Sequence, residues 1–230
     1  MRFRTSARSS LVLLATGIAL LALLAGQSAA LARQDVVDWS EWTGVPGPEE
    51  CTAESVDVAE FVQGLVAAAG TPAANDIPLQ VASIDDLPAG GPASEEETEG
   101  ALTTVRELLA CVNAGRYGSV LSLFTPEGLV ALIFGASGLD AATMTAEEIE
   151  AAIAFFTPFL NAPATPAADG AQAGLVEIKD VRRLPDGRIL VVSVGDATGT
   201  EGEAFAVLEK VGDRWLIDTA GAIGDIAMPG

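Results

Sequence analysis

The sequence predicts an α+β fold, N-terminal helices packed on a curved antiparallel sheet, from three observations. Residues 94–134 carry helical periodicity over one long segment and two shorter ones. Residues 175–219 alternate apolar runs with Pro, Asp and Gly turns. Helices precede consecutive hairpins, and half of the 230 residues are hydrophobic, enough for one good-sized core.

Charge and composition exclude whole classes of function. From Arg33 onward nine basic residues face 32 acidic ones, a net charge of −23. That balance excludes nucleic acid as a partner, because counterion release needs clustered Lys and Arg. The chain contains no histidine, which removes Ser-His-Asp and Cys-His nucleophile arrangements and histidine zinc sites. No phosphate-binding loop, nucleophile elbow or CxxC motif occurs, so neither a cofactor nor a metal is expected.

Met1 to Ala32 begins with Arg2, Arg4 and Arg8, runs apolar from Leu11 to Gly26 and ends in Ala30-Leu31-Ala32. This is the layout of a secretory signal peptide, with cleavage expected after Ala32 or, second, after Ala30. The uncharged stretch from Ser9 to Ala32 is also long enough to span a bilayer, so an uncleaved N-terminal anchor stays open. Either way the body of the protein is expected to be exported, secreted or at the cell surface.

Residues 33–93 read as an acidic arm. It starts with Trp39 and Trp42, which either dock on the domain or sit near a membrane surface. A short helix follows, with Val58, Phe61, Val62 and Leu65 on one face and Ser55 as N-cap. The arm ends in an Ala/Pro/Gly linker in which only Ile77 to Val81 resembles a strand. Cys51 and Cys111 are the only cysteines. Both follow an export signal, so one disulfide should tie the arm to the first long helix.

The domain proper spans residues 94–222, followed by a tail, 223–230. Ser94-Glu95-Glu96-Glu97 is a capping box that starts the long helix, and Gly115 supplies its left-handed stop. Its apolar stripe is Leu102, Val105, Leu108, Leu109 and Val112, with Cys111 on the flank. Tyr117 to Phe124 repeats the helical spacing, and Thr125-Pro126 starts another helix. Leu129 to Phe134 is apolar on every side and must be buried all round or line a cavity. A further helix begins at Thr145 and carries Phe156, with Pro158 as a kink. The strands are Leu175 to Leu184, with a bulge near Lys179-Asp180, then Ile189 to Val194, Ala204 to Val211 and Trp215 to Thr219.

A helix ending in A-C-V-N-A-G, then Y-x-x-V-L-S-L-F-T-P, then a meander with L-P-D-G-R and R-W-L-I-D, resembles the NTF2-like (SnoaL-like) superfamily, in an exported bacterial form. The resemblance covers residues 95–222 and implies a cone-shaped α+β domain. Some members are ketosteroid isomerases and polyketide cyclases, with an acid or base and a tyrosine in the cone. Aligned on Asn113-Ala114-Gly115, the isomerase tyrosine falls at Leu108 and the general base near Leu132. Both positions are apolar here, so the resemblance carries the fold and not that chemistry.

The expected function is a non-catalytic module that binds a small apolar molecule or a protein, with Leu129, Leu132, Phe134, Phe156 and Trp215 lining the interior. The alternative is a cyclase- or isomerase-like enzyme using Glu177 or Asp218 as base, with Tyr117 as hydrogen-bond donor. Arg182, Arg183 and Arg188 form the one basic cluster, which reads as an anion site or as ion pairs with neighbouring carboxylates. Ile189 to Val194 is apolar on both faces. The outer face therefore needs a cover, either a second copy forming a homodimer or the arm from Trp39 to Leu65.

Overall fold

The computed structural model describes residues 38–69, 77–135, 143–149, 151–152, 154, 163–168, 170–197 and 199–224. The signal segment, Phe156 and Pro158 lie outside them. Four α-helices are fully bounded: α1 (Val58–Ala69), α2 (Glu95–Asn113), α3 (Tyr117–Leu121) and α4 (Pro126–Val130). A π-helical turn, Ala131–Gly135, extends α4. Six strands form one sheet: β1 (Gln80–Val81), β2 (Gly91–Pro92), β3 (Gly174–Arg183), β4 (Ile189–Ala197), β5 (Thr200–Val211) and β6 (Arg214–Ile223), in the order β1-β6-β5-β4-β3-β2. The fold is α+β. The sheet is mixed rather than wholly antiparallel, because β1 runs parallel to β6. Among the described residues no helix is long and apolar enough to cross a membrane.

Helix boundaries follow local chemistry. Ser94 Oγ accepts from Glu97 N at 3.3 Å while Glu97 Oε2 accepts from Ser94 N at 2.9 Å, the reciprocal capping box. Gly115, at φ +66°, closes α2 in a Schellman turn: Arg116 N donates to Cys111 O and Gly115 N to Val112 O. α1 is capped by Asp57, whose Oδ1 accepts from Glu60 N at 3.0 Å, and not by Ser55. Ser55 lies two residues too early, and its hydroxyl pairs with that of Ser119.

The strands have the expected hairpins, and β3 is bulged twice, at Val176 and at Lys179. A third bulge makes Asp218 the extra residue of β6, between Ile217 and Thr219. On the inner face Ile189, Leu208 and Ile217 form a fully buried row beneath α2, α4 and Trp215. α4 can lie this close to β6 because position 128 is glycine. A Cβ there would come within 2.5 Å of the Asp218 carbonyl.

The arm docks on α2. Cys51 and Cys111 form the disulfide, with Trp39 and Trp42 packed against the core. The outer sheet face is covered from within the chain, though not by the arm from Trp39 to Leu65, whose Trp39, Trp42 and Phe61 pack against the inner cluster. Ile77, Val81 and Leu87 close over Leu190, Val192, Phe205 and Val207 as a second apolar cluster. The segment read as linker is thus a structural cover. It escaped notice because its strands are two residues long and carry no periodicity.

Two measurements test this architecture. The double variant Cys51→Ser/Cys111→Ser should lose about 4 kcal/mol of stability to denaturant, the chain-entropy value for a loop with sequence separation 60. Leu87→Ala should cost about 2–5 kcal/mol, the range for truncating a fully packed leucine, and should raise dye binding to the newly exposed outer face. A change below about 0.5 kcal/mol would mean that residue 87 is not part of the cover.

Candidate functional site

A partly open cavity of about 350 Å³ lies between α2 and one half of the inner sheet face. It exists because of cross-strand rows of small side chains. Ala206 pairs with Val191 and Ala220, Ala204 with Ser193 and Ala222, and Gly195 with Gly202. Opposite them Val105, Leu108 and Leu109 project from α2. Leu108 and Leu109 stay half-buried, since nothing large faces them. The next row, Ile189-Leu208-Ile217, is filled and closes the cavity floor. Inner-face volume therefore decreases along the strands from a packed end to an open one.

The rim is held by the arm and by the end of α2. Gly44 and Leu175 exchange both backbone hydrogen bonds, at 2.7 and 3.0 Å. The amide of Asn113 donates to Pro46 O and Ala173 O and accepts from Ala173 N. Asp196 and Glu203 border the cavity through their strands, while alternation along β4 and β5 turns their side chains to the opposite face, that of Val192 and Phe205. Lys179 pairs with Glu203. Asp196 Oδ1 is shut off from solvent and has no hydrogen-bond partner.

The residues singled out from the sequence lie elsewhere. Leu129, Phe134 and Trp215 are buried in the packed end of the core, and Leu132 is 37% exposed on the turned-out side of the π-helical turn. None of these four lines the cavity. An all-apolar run read as cavity wall is here one tight turn that buries three faces and shows the fourth. Glu177 is exposed on β3, and Tyr117 is 49% exposed. Asp218 is buried, but its Oδ2 lies 2.7 Å from Arg188 Nη1 and its Oδ1 accepts from Thr125 Oγ1 at 3.2 Å. Both carboxylate oxygens of Asp218 are thus engaged by neighbouring side chains. Glu177, Tyr117 and Asp218 are not brought together.

The three arginines of the hairpin are separately engaged. Arg188 bridges Asp186 and Asp218, and Arg183 reaches Glu97 at 3.3 Å. Arg182 Nε lies 3.1 Å from Asp180 Oδ2, near enough for ionic attraction but badly aimed for a hydrogen bond. Burial opposes ionisation of Asp186, yet the hydrogen bonds and charge of Arg188 outweigh it and hold that carboxyl below its ordinary value.

No family model, no curated protein and no solved structure matches this chain. Its site is read from geometry alone. The signal that reveals the cavity in the sequence is the alternation of small residues, Ser193-x-Gly195, Gly202-x-Ala204-x-Ala206 and Ala220-x-Ala222. Strand periodicity places each set on one face.

Arm docking at the rim has an acid limit. The side-chain hydrogen bond from Arg106 holds the Glu50 carboxyl below its ordinary value, against the opposing effect of burial and with help from Gly47 N. A depressed carboxyl contributes stability above its unfolded value, about 4.3, and that stability is lost as pH falls through the folded value. Acid titration from about pH 5 to pH 3 should expose the arm to limited proteolysis before the sheet unfolds. In Glu50→Gln the arm should already be cut faster at neutral pH, and the acid step should be smaller.

Proposed function

We propose that the chain is an exported NTF2-like domain whose cavity binds a small, largely apolar molecule without transforming it. One observation carries the proposal: an apolar cavity of about 350 Å³ built into the sheet by aligned rows of Ala, Gly and Ser. That volume falls in the range of small-molecule sites. The succession of a long helix, short helices and a terminal meander supports the NTF2-like assignment. The basic and apolar layout of residues 1–32, together with a disulfide that persists in oxidising compartments, supports export.

Binding rather than catalysis is favoured by where the acid–base side chains lie. Glu177 and Tyr117 are exposed, and the Asp218 carboxylate is held by Arg188 and Thr125. A second copy on the outer sheet face is not part of the proposal, because Ile77, Val81 and Leu87 already occupy that face.

The test uses N-phenylnaphthylamine, a neutral apolar dye that brightens when it leaves water. Its fluorescence should rise and saturate with the wild-type protein. Ala204→Trp, which fills the cavity from the middle of β5, should abolish the rise while leaving the melting temperature within a few degrees. An equal rise with both proteins would place the dye elsewhere and defeat the reading.

A further inference from the structure

We infer that the occupant of this cavity is an uncharged aliphatic molecule with a hydrogen-bond-accepting oxygen along its body, of the ester class, and that the hydroxyl of Ser193 is the donor that holds it. The inference rests on the cavity being a binding site and adds the polarity of its ligand.

Strand alternation decides which side chains can meet that ligand. β4 and β5 pair without a shift from Ile189 and Leu208 to Ala197 and Thr200, so one parity of each strand faces α2 along its whole length. Counted from the packed floor, that face carries Val191 with Ala206, then Ser193 with Ala204, then Gly195 with Gly202, and Thr200 at the mouth. The other parity, which includes Asp196 and Glu203, belongs to the face of Val192 and Phe205. Among the lining residues no ionisable side chain is turned to the cavity. A charged group entering such a wall gives up its water and finds nothing to pair with.

Ser193 is the polar group within this wall. It is 8% exposed and lies on the cavity side of β4. Other buried hydroxyls are engaged within the protein: that of Thr104 with Trp215 O, that of Ser119 with Ser55 and that of Thr125 with Asp218. Thr219 Oγ1 is sealed from solvent, on the parity of Val207. Among the described residues no group bonds the Ser193 hydroxyl, which opens on the cavity instead. A buried hydroxyl without an acceptor forfeits the bond it makes to water in the unfolded chain, and a ligand that brings an acceptor restores it. An ester brings acceptors, no charge and no donor of its own to be left unpaired.

Depth sets where the oxygen falls in the ligand. At about 3.3 Å per residue Ser193 stands roughly 7 Å above the Val191 row and roughly 13 Å below Ala197 at the mouth. The wall is apolar or bare in both directions, with Val191 and Ala206 beneath and Gly195 and Gly202 above. A terminal head group anchored at Ser193 fills only one of these directions. An oxygen with alkyl chain on either side of it fills both.

Four ligands of equal carbon count separate these cases: pentyl pentanoate, dipentyl sulfide, decanoate and decylamine, each displacing N-phenylnaphthylamine at neutral pH in low and in high salt. Pentyl pentanoate should bind about tenfold or more tighter than decanoate and decylamine at either salt concentration. Ser193→Ala installs the side chain that its cross-strand neighbour Ala204 already carries, so the melting temperature should hold. It should weaken pentyl pentanoate about fivefold and leave dipentyl sulfide, a weak acceptor of similar shape, within about twofold. Ala204→Trp should remove every ligand. Equal or tighter binding of either charged ligand would overturn the inference while leaving the cavity reading intact. So would pentyl pentanoate binding that ignores Ser193→Ala, or an equal loss of both neutral ligands in that variant. Binding that survives Ala204→Trp would lie outside the cavity and overturn both readings. Failure of all four ligands to displace the dye, or failure of the dye itself to bind, would remove the binding site and the inference with it.

Discussion

The end of α2 and its cap, Cys111 to Arg116, carry most of the constraints that join the arm from Trp39 onward to the domain. Cys111 takes the disulfide, the Asn113 amide satisfies Pro46 and Ala173, and the Arg116 guanidinium donates to Cys51 O at 2.7 Å and Ala53 O at 3.1 Å. Apart from Ala173, which leads into β3, the hydrogen-bonded partners are backbone carbonyls of the arm, whose regular structure here is limited to the short 3-10 turn Pro48–Glu50. Left buried and unpaired, each would cost on the order of 1–3 kcal/mol. The helix end therefore does for the arm what a neighbouring strand does for a strand. A second contact, Arg106 with Glu50 and the Trp42 and Thr43 carbonyls, fixes the other end of the same segment.

With the arm and α2 joined, the sheet has one long helix over its inner face and cannot draw closer at every point. Where the rows are Ile189-Leu208-Ile217 the gap is filled. Where they are alanine and glycine it is not. Rigid packing at one end thus props open the other. A gap of this origin is held open, because closing it would require moving α2 against Trp215, whose carbonyl accepts from Thr104 at 3.0 Å. Close packing and open space are in this way divided along the strands.

Much of the fold was legible because it was written locally. Ser94 and Glu97 announce a helix start, Gly115 a helix stop, and Pro185-Asp186-Gly187 a hairpin, each from its own side-chain chemistry. What escaped was written across strands. That Ala206 faces Ala220, or that Gly195 faces Gly202, depends on register, and the bulge at Asp218 shifts the register by one residue. The lining predicted from Leu129, Leu132, Phe134 and Trp215 failed to mark the cavity for a related reason. Large apolar residues fill space, and a cavity forms where they are missing.

The two-residue strands have a consequence for life at high concentration. A sheet that ends in a long straight strand offers a row of unused amides to any other chain. This one ends in Gln80–Val81 on one side and Gly91–Pro92 on the other, and the proline offers no amide hydrogen. Behind the second border β3 is broken by two bulges, and its Leu175 is already engaged by Gly44. Among the described residues both borders are interrupted, β6 by β1 at Ala222 and Ile223 and by Phe124 at Ile217, and β3 by its bulges and by Gly44.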